Sequence, residues 1–355
     1  MRKWMTMASA LALGLAVSAT GAQAKVKACW IYVGAIGDHG WSYQHDQGRQ
    51  YAEKEIGAEL ETVYVENVAE GPDAERAIAR LARDGCNIVF TTSFGYMEPT
   101  LKVAKQFPEV KFEHATGYKT ADNVTTYNAK FHEGRYVIGQ IAAKVSKSGK
   151  AGYIVSFPIP EVVAGINAFM LGAQSVNPDF KASVVWVNSW YDPGKEADAA
   201  KVLFGQGADI IVQHTDSTAA MQVAEETGKH GFGQASDMIK FGPRAQLTAI
   251  VDNWGPYYVR RIKAVMDGSW KSQSSWDGMA EGTVWMAPLT NMDADTAKMA
   301  SETEEAIKTG KLHPFKGPIS NQAGEQVIGE GQVLDDGAIL GMNWYVKGID
   351  DKLPN

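Results

Sequence analysis

The sequence lacks an excess of basic residues. Its 355 residues include 34 lysines and arginines against 41 aspartates and glutamates, which gives a formal net charge of −7. Because an acidic protein is not attracted to nucleic acid or to an anionic membrane surface, nucleic acid is excluded as a partner. After the N-terminal segment, the sequence also lacks a long uninterrupted apolar run, so we expect a soluble exported protein rather than a membrane-spanning one.

The N-terminal segment has the features of an export signal. Arg2 and Lys3 precede an apolar stretch that ends with AQA at residues 22–24. This pattern is typical of a cleaved secretory signal peptide, and it is too short for a membrane span. We therefore predict a signal peptide over residues 1–24, a mature chain that begins at Lys25, and a periplasmic location. A lipid anchor is not expected because no cysteine lies near the cleavage point.

Cysteine is scarce, with Cys29 and Cys86 as its two positions. An oxidising compartment would permit a disulfide between them, since both lie near the starts of predicted strands that could be neighbours. The alternative is a pair of buried thiols that act as small apolar side chains. We favour the thiols.

The length and the order of the elements predict two lobes. A mature chain of about 330 residues exceeds the size at which a single core keeps growing. Short apolar strands alternate with helical segments, first before residue 128 and again after it, which indicates doubly wound parallel sheets. The chain has no low-complexity linker, so we expect strands to pass between the lobes near Asn128, Asp252 and Glu281.

The predicted fold class is thus α/β, with two doubly wound parallel-sheet lobes that face each other like a clamshell. The C-terminal tail, including Trp344 and Tyr345, is expected to pack across both lobes. The predicted segments are 25–128 plus about 253–281 for the N-terminal lobe, 129–252 plus about 282–330 for the C-terminal lobe, and 331–355 for the tail.

The stretch from Lys27 to Gly48 is where we first look for a function. A strand-like apolar run is followed by a loop with glycines at 34, 37 and 40, and a helix is predicted from Trp41. Ligands of open parallel sheets bind at such a strand-loop-helix junction. The glycine spacing is GxxGxxG, so neither the dinucleotide GxGxxG motif nor a P-loop is present.

Asp38 and Trp41 in this loop have two interpretations. As ligand residues, they would offer a hydrogen-bond acceptor and a flat π-face to a heteroaromatic molecule. As structural residues, Asp38 would cap the helix and Trp41 would belong to the core. Both roles are common, and the residues alone leave the choice open.

Motifs of catalysis and of metal binding are missing. His214, Asp216 and Ser217 lie too close in sequence to form a hydrolytic triad, whose members approach from separate parts of a fold. The loop TSFG (92–95) is not a GxSxG nucleophile elbow. His39 and His45 show no HExxH spacing. We therefore predict no enzyme activity, no cofactor and no metal.

The motifs along the mature chain resemble those of the BMP family (basic membrane protein, PnrA-like) of substrate-binding proteins of ABC importers. GAIGDHGWSYQHDQG resembles the family segment GxxxDxSFNxxxxxG, with Asp38 and Trp41 at its Asp and Phe positions. Further matching segments are NAKFHEGRYVIGQIAAKVS, GYIVSFPIPEVVAGINAFMLGAQSVNPD, DPGKEADAAKVLFGQGADIIVQHTDS, PFKGPI and MNWYVKGI.

This resemblance implies a type I periplasmic binding fold, with three crossovers and a ligand held between the lobes. Family members typically bind purine nucleosides or related small molecules, and an aromatic residue at the Trp41 position stacks on the base. Asp237 falls on the first aspartate of the family motif VDxDQ, which holds hydroxyls or base nitrogens.

Several positions depart from the family pattern. Asp252 stands where lysine is common, Ser42 replaces asparagine, Thr116 stands where aspartate is usual, and Met238 follows Asp237. An aspartate accepts hydrogen bonds where a lysine only donates, so the ligand group opposite Asp252 should be a donor. Thr116 lacks the carboxylate expected to hold ribose hydroxyls. These changes favour a free base over a nucleoside.

We therefore predict a periplasmic substrate-binding component of an ABC importer that binds a purine base, such as adenine, as a monomer and releases it to membrane permease subunits. On closure, Trp41 would sandwich the ring with Trp190 or with Phe157. The alternatives are a purine nucleoside as the ligand, an exported nucleoside hydrolase, and a ligand-sensing partner of a membrane receptor. The predicted ligand residues are Asp38, Trp41, Ser42, Ser93, Phe94, Phe157, Trp190, Asp216, Asp237 and Asp252.

Overall fold

The structure is a computed structural model that describes residues 25–354. The predicted signal peptide lies outside these residues. Within them, none of the described helices is both long and apolar enough to cross a membrane.

Strands and helices alternate along most of the described chain. In chain order, the strands are β1 (Val26–Ile31), β2 (Leu60–Val65), β3 (Ile88–Thr91), β4 (Lys111–Ala115), β5 (Val124–Ala129), β6 (Lys150–Val155), β7 (Lys181–Trp186), β8 (Ile210–His214), β9 (His230–Ala235), β10 (Gln246–Asp252), β11 (Ser275–Asp277), β12 (Val284–Met286), β13 (Ile319–Ser320) and β14 (Gln326–Ile328). The α-helices are α1 (Trp41–Ile56), α2 (Pro72–Arg83), α3 (Met97–Ala104), α4 (Phe131–Val145), α5 (Pro160–Val176), α6 (Pro193–Gly205), α7 (Ala219–Thr227), α8 (Gly255–Met266), α9 (Ala294–Lys308) and α10 (Asp336–Leu340).

Local sequence explains where these elements begin. The strand β3 is the continuous apolar run IVFT, and all four of its residues are buried between helices. The helix α6 has proline at its first position, and the side chain of Asp192 accepts a hydrogen bond from the Lys195 backbone N–H at 3.1 Å. Such a cap satisfies one of the free N–H groups at a helix start.

The two large sheets confirm the predicted two-lobed α/β fold. The first sheet has the strand order β11-β5-β4-β3-β1-β2, and all of its neighbouring strands are parallel. The second has the order β12-β10-β9-β8-β6-β7, and β12 is antiparallel to β10. In both sheets the strand order reverses beside the first strand of the lobe, which opens a crevice at the carboxyl ends.

The chain passes between the two sheets three times. It leaves the first sheet after β5, which ends at Ala129, and it returns after β10, which ends at Asp252. The third passage, through residues 278–283, joins β11 to β12. The positions predicted for these passages are near Asn128, Asp252 and Glu281.

Cys29 and Cys86 form a disulfide, so the favoured interpretation as two free thiols is wrong. Their Cα atoms lie 6.0 Å apart. The physical reason is the pairing of β1 with β3, in which Ala28 lies opposite Ile88 and the Asn87 N–H donates to the Lys27 carbonyl at 2.8 Å. This register brings the two cysteines together within the first lobe.

The C-terminal tail makes hydrogen bonds to the second lobe. Ile349 bridges to Ala182 on β7, and the Val184 N–H donates to the Asp351 carboxylate at 2.6 Å. The Trp344 carbonyl accepts from the Asn167 side chain on α5 at 2.7 Å. These hydrogen bonds attach the tail to the outer strand and one helix of a single lobe.

The helix α9 and the strand β11 are held by contacts with elements from other parts of the chain. The helix α9 is capped by Asp293, whose side chain accepts from the Thr296 N–H at 2.7 Å. It packs on α4, where the Thr303 hydroxyl donates to Gln140 at 2.7 Å. The strand β11 has three residues and is formed by its pairing with β5.

Candidate functional site

A cavity lies between the lobes at the carboxyl ends of the two sheets. The space that is free of protein atoms there is about 360 Å³, which includes open solvent. Three aromatic side chains and several buried polar groups line it. The lining residues are Val33, Trp41, Ser93, Phe94, Thr116, Glu161, Trp190, His214, Asp216 and Gln234.

The first loop is held by Asp38 at the start of α1. Its carboxylate accepts hydrogen bonds from the backbone N–H groups of Gly40, Ser42 and Tyr43, at 2.8, 3.1 and 3.0 Å. Burial raises the pKa of Asp38 to about 6, and these hydrogen bonds oppose the rise. The side chain therefore serves the helix start, and it does not line the cavity.

Trp41 is fixed in the cavity wall. Its indole N–H donates to the Thr92 carbonyl at 2.6 Å. The ring packs edge-on against His45 and Trp254, with centroids 4.4 and 5.6 Å away. Since these contacts set the orientation of the indole before any ligand arrives, Trp41 is a pre-organised surface for a flat ring.

A hydrogen-bonded contact joins the two lobes beside the cavity. The Glu70 carboxylate of the first lobe accepts from the Ser93 hydroxyl at 2.6 Å and from the Gly95 N–H at 2.9 Å. From the second lobe, the Trp190 indole N–H donates to the same carboxylate at 3.3 Å. Phe94 stands in the same loop as Ser93 and lines the cavity.

Backbone contacts show that the lobes are closed on each other. Gly40 lies against the main chain of Asp216, so close that a Cβ on the glycine would be 2.2 Å from the Asp216 carbonyl oxygen. The Ser236 hydroxyl donates to the His39 carbonyl. Each pair joins a loop of the first lobe to a loop of the second.

Glu161 places a carboxylate in the cavity wall. One of its oxygens accepts from the Asn128 side chain at 2.9 Å, and the other lies 3.6 Å from Nε2 of His214. Burial raises the pKa of Glu161 to about 7, despite the Asn128 hydrogen bond and the nearby charge of Arg135. Burial also lowers the pKa of His214 well below its usual value, so the imidazole is neutral and the two groups are not an ion pair.

Asp216 and Asp252 add two more buried carboxyl groups. Burial raises the pKa of Asp216 well above its ordinary value, and Asp38, Glu196 and Asp252 raise it further by charge repulsion. Asp252 is fully buried, and neither of its carboxyl oxygens has a hydrogen-bond partner among the described residues. Burial and then Glu161 raise its pKa as well. Asp216 lines the cavity, whereas Asp252 lies behind it, and the carbonyl oxygen of Asp216 can accept a hydrogen bond from a ligand N–H group in either protonation state.

The structure brings together five of the ten predicted ligand residues around the cavity. They are Trp41, Ser93, Phe94, Trp190 and Asp216.

The other five predicted residues are not among those that line the cavity. Asp38 and Ser42 serve the first loop, where the Ser42 hydroxyl accepts from the Gly34 N–H at 3.1 Å. Phe157 is at the mouth of the cleft, with its ring 5.1 Å from that of Trp190. Asp252 is buried and electrostatically coupled to Asp216.

Asp237 is exposed on the second lobe. Its carboxylate accepts from the Ile239 N–H at 3.0 Å and from the Gln246 side chain at 2.7 Å. It thus stabilises its own loop, and it is not among the residues that line the cavity.

Sequence reasoning missed other residues of the cavity wall. Glu161 is not among the predicted ligand residues, and His214 enters the sequence analysis only as part of a rejected triad. A usable signal for Glu161 is its place directly after the strand-end loop SFPIP. Thr116 is noted as a departure from the family pattern. No sequence motif marks Val33 or Gln234 as part of the cavity wall.

The described residues offer no preformed metal centre. Within residues 25–354, no group of three or more histidine, cysteine, aspartate or glutamate side chains is arranged to hold a metal ion.

Two α/β lobes that are joined by three crossovers and close over a cavity at their strand ends define the class of type I periplasmic binding folds. A solved ABC transporter solute-binding protein from Aeropyrum pernix K1 superposes with a TM-score of 0.71 at 18% identity, over 81% of this chain and 92% of that one. This similarity confirms the fold.

The chain belongs to the PnrA-like family of ABC transporter substrate-binding proteins, whose sequence profile matches residues 25–313. A purine-binding protein of Brucella abortus (strain 2308) is 65% identical over 336 residues, which cover 95% of this chain and 96% of that protein. A Haloferax volcanii protein, provisionally named as the ABC transporter glucose-binding protein TsgA13, is 36% identical over 93% of this chain and 82% of its own length.

Family membership confirms the predicted class. The protein is the substrate-binding component of an ABC transporter. Such components bind small molecules and interact with membrane permeases, and this family is typically periplasmic or extracellular. The family and the purine-binding relative are substrate-binding proteins rather than enzymes.

Proposed function

We propose that the protein captures a purine base in the periplasm and delivers it to the permease of an ABC importer, without catalysing a reaction. The observation that carries this proposal is the pair of carboxyl groups of Glu161 and Asp216 in a cavity wall that also contains three aromatic rings. A purine base is flat and carries several polarised N–H donors. It would therefore stack on the aromatic rings and donate hydrogen bonds to the carboxyl groups.

The carboxyl groups favour an N–H-rich ligand for an energetic reason. A buried acceptor that lacks a donor costs about 1 to 3 kcal/mol. Glu161 lines the cavity, and one of its oxygens faces the neutral imidazole of His214 at 3.6 Å, beyond hydrogen-bond distance. N–H groups of a bound base would donate to the carbonyl oxygens of Glu161 and Asp216, which accept a hydrogen bond in either protonation state.

The aromatic slot supports a planar ring. Trp41 and Phe94 come from the first lobe and Trp190 from the second, so closure would place a ring between indole and phenyl surfaces. Stacking of a base on an aromatic side chain contributes about 1 to 3 kcal/mol. Thr116 in place of a carboxylate favours a base over a nucleoside. The name of the Brucella abortus relative also supports a purine.

The nucleoside hydrolase alternative finds less support. Such an enzyme would need clustered aspartates at the end of the first strand. Asp38 caps α1 instead, and Asp46 is paired with Arg49 at 2.6 Å and accepts from the Tyr32 hydroxyl at 3.2 Å. Both acids are thereby engaged in the structure of the first lobe.

Isothermal titration calorimetry of the mature, ligand-freed protein tests the proposal. The ligands are adenine, guanine, hypoxanthine, xanthine, their nucleosides and glucose, and each mixture is checked for products by chromatography. We expect one-to-one binding of at least one base, weaker binding of its nucleoside, no binding of glucose and no product. A product peak would support the hydrolase, and the absence of binding by every purine would refute the proposal.

A variant pair tests the location of the site. Trp41→Ala removes the stacking surface and should weaken binding roughly 5- to 160-fold, which corresponds to about 1 to 3 kcal/mol. Trp285→Ala is the matched control because Trp285 is exposed on β12. Equal affinity in the two variants would place the ligand elsewhere.

A further inference from the structure

Gln234 reaches the cavity from the second lobe and is held from behind by Arg135. The residue lies on β9, opposite Ile250 of β10, and its side chain lines the cavity. Arg135, on α4, is 1% exposed. Its guanidinium donates one hydrogen bond to the Gln213 carbonyl at 3.0 Å and another to the side-chain oxygen Oε1 of Gln234.

This contact fixes which end of the Gln234 amide faces the cavity. A guanidinium has donors and no acceptor, so the amide atom against Arg135 must be the oxygen. The amide nitrogen is then on the cavity side. None of the hydrogen bonds found among residues 25–354 uses this nitrogen as a donor, which leaves its two N–H groups available to a ligand.

We infer that Gln234 is a specificity-determining donor and that Arg135 is the residue that positions it, so the bound ligand must present a hydrogen-bond acceptor at this point of the cavity. The inference rests on the proposed purine function and adds to it. The carboxyl groups of Glu161 and Asp216 select N–H donors on the ligand, whereas Gln234 selects an acceptor. A purine base meets both demands through its N–H groups and its ring nitrogens.

The ligand-side experiment compares adenine with 1-deazaadenine, 3-deazaadenine and 7-deazaadenine on the wild-type protein by calorimetry. In each analogue a C–H replaces one ring nitrogen, so the analogue that lacks the nitrogen facing Gln234 leaves a buried donor unpaired. We expect that analogue to bind about 5- to 100-fold more weakly than the others. Equal affinity for all three analogues overturns the inference.

The protein-side experiment measures the same affinity ratios in variants. Gln234→Met keeps the volume but removes the donor, so the difference among the analogues should disappear. Gln234→Glu keeps the partner of Arg135 but replaces the donor with an acceptor, and it should lose more than about tenfold in adenine affinity. The exposed Gln222→Met on α7 is the matched control and should keep the wild-type ratios.

Variants of Arg135 test its positioning role. Arg135→Met frees the Gln234 amide to rotate, so the ratio of the adenine affinity to the affinity of each deaza analogue should fall toward one. Arg135→Lys keeps a donor and should restore part of the discrimination. A merely structural role would lower the stability without changing these ratios. Wild-type ratios in Gln234→Met or in Arg135→Met overturn the inference.

The two proposals can fail separately. If the wild-type protein binds guanine or another purine but not adenine, the inference in this form is overturned while the proposed function stands. If it binds no purine, both fail. If adenine binds and substitution of Gln234 leaves the affinity ratios among the analogues unchanged, only the inference fails.

Discussion

The contact between Gly40 and Asp216 allows closure to be tested separately from folding. A Cβ on Gly40 would lie 2.2 Å from the Asp216 carbonyl oxygen and 2.9 Å from its carbonyl carbon. Ordinary contacts between such atoms are about 3.5 Å or longer, so the added methyl group falls short by more than about 1 Å. Both colliding groups are backbone atoms, and they belong to opposite lobes. Gly40→Ala should therefore act against the closed arrangement while each lobe folds as before.

The size of the effect follows from the cost of forcing an extra methyl group into a packed contact. This cost is typically about 1 to 3 kcal/mol, which corresponds to roughly a 5- to 160-fold loss of affinity for adenine. Calorimetry gives the affinity. Small-angle X-ray scattering with and without adenine shows whether the variant still becomes as compact as the parent on binding.

Gly37→Ala is the matched control because it adds the same methyl group to the same loop. A Cβ on Gly37 would meet nothing within 4 Å. Its affinity for adenine and its compaction should equal those of the parent protein. The reasoning is refuted if the two variants bind adenine within a factor of two of each other. It is also refuted if Gly40→Ala lowers the ligand-free melting temperature more than Gly37→Ala does, since the methyl group would then act on folding.

Two further predictions concern stability. Replacing Cys29 and Cys86 by alanine removes a link across 57 residues, which in the chain-entropy model lowers the free energy of unfolding by about 4 kcal/mol; an unchanged urea midpoint under non-reducing conditions would contradict this. Burial lowers the pKa of His114 to about 3, below the usual value of about 6.5, so the unfolded chain binds a proton that the folded protein does not. Stability should therefore fall as the pH drops below about 6.5, and His114→Gln should reduce this loss between pH 7 and pH 5 in urea unfolding; an equal loss in both proteins would show that His114 is not responsible.

Periodicity in the sequence was sufficient to predict the two sheets because most strands are short apolar runs between helices. The features it missed depend on pairing over long distances. The strand β11 exists through its register with β5, and the disulfide follows from the neighbouring positions of β1 and β3. The hydrogen bonds of the tail to β7 and α5 have no local signature either.

The site was harder to predict, since one residue type can serve two roles at a strand end. An aspartate directly after a strand can cap the next helix or face a ligand, and the sequence pattern is the same for both. The structure uses Asp38 as a cap, whereas it buries Asp216 in the cavity wall. Glu161 presents the same ambiguity, and its burial depends on Asn128 and His214 from other elements.

The backbone conformation at the strand ends gives a physical reason for this limit. Five non-glycine residues that lie in the first loop or at the ends of β2, β4, β7 and β9 have φ between 51° and 61°, in the left-handed region: His39, Asn67, Thr116, Asn188 and Ala235. This conformation costs about 1 to 2 kcal/mol for residues other than glycine, so the surrounding packing must impose it. Since neither alanine nor threonine favours the left-handed conformation, the residue types at these positions do not predict where the chain turns. Ala235 lies between Gln234, which lines the cavity, and Ser236, which bonds to the opposite lobe. The turn at Ala235 thus separates the Gln234 side chain, which lines the cavity, from the Ser236 side chain, which contacts the opposite lobe. The hydrogen bond from Arg135, rather than a bound ligand, holds the Gln234 amide in place.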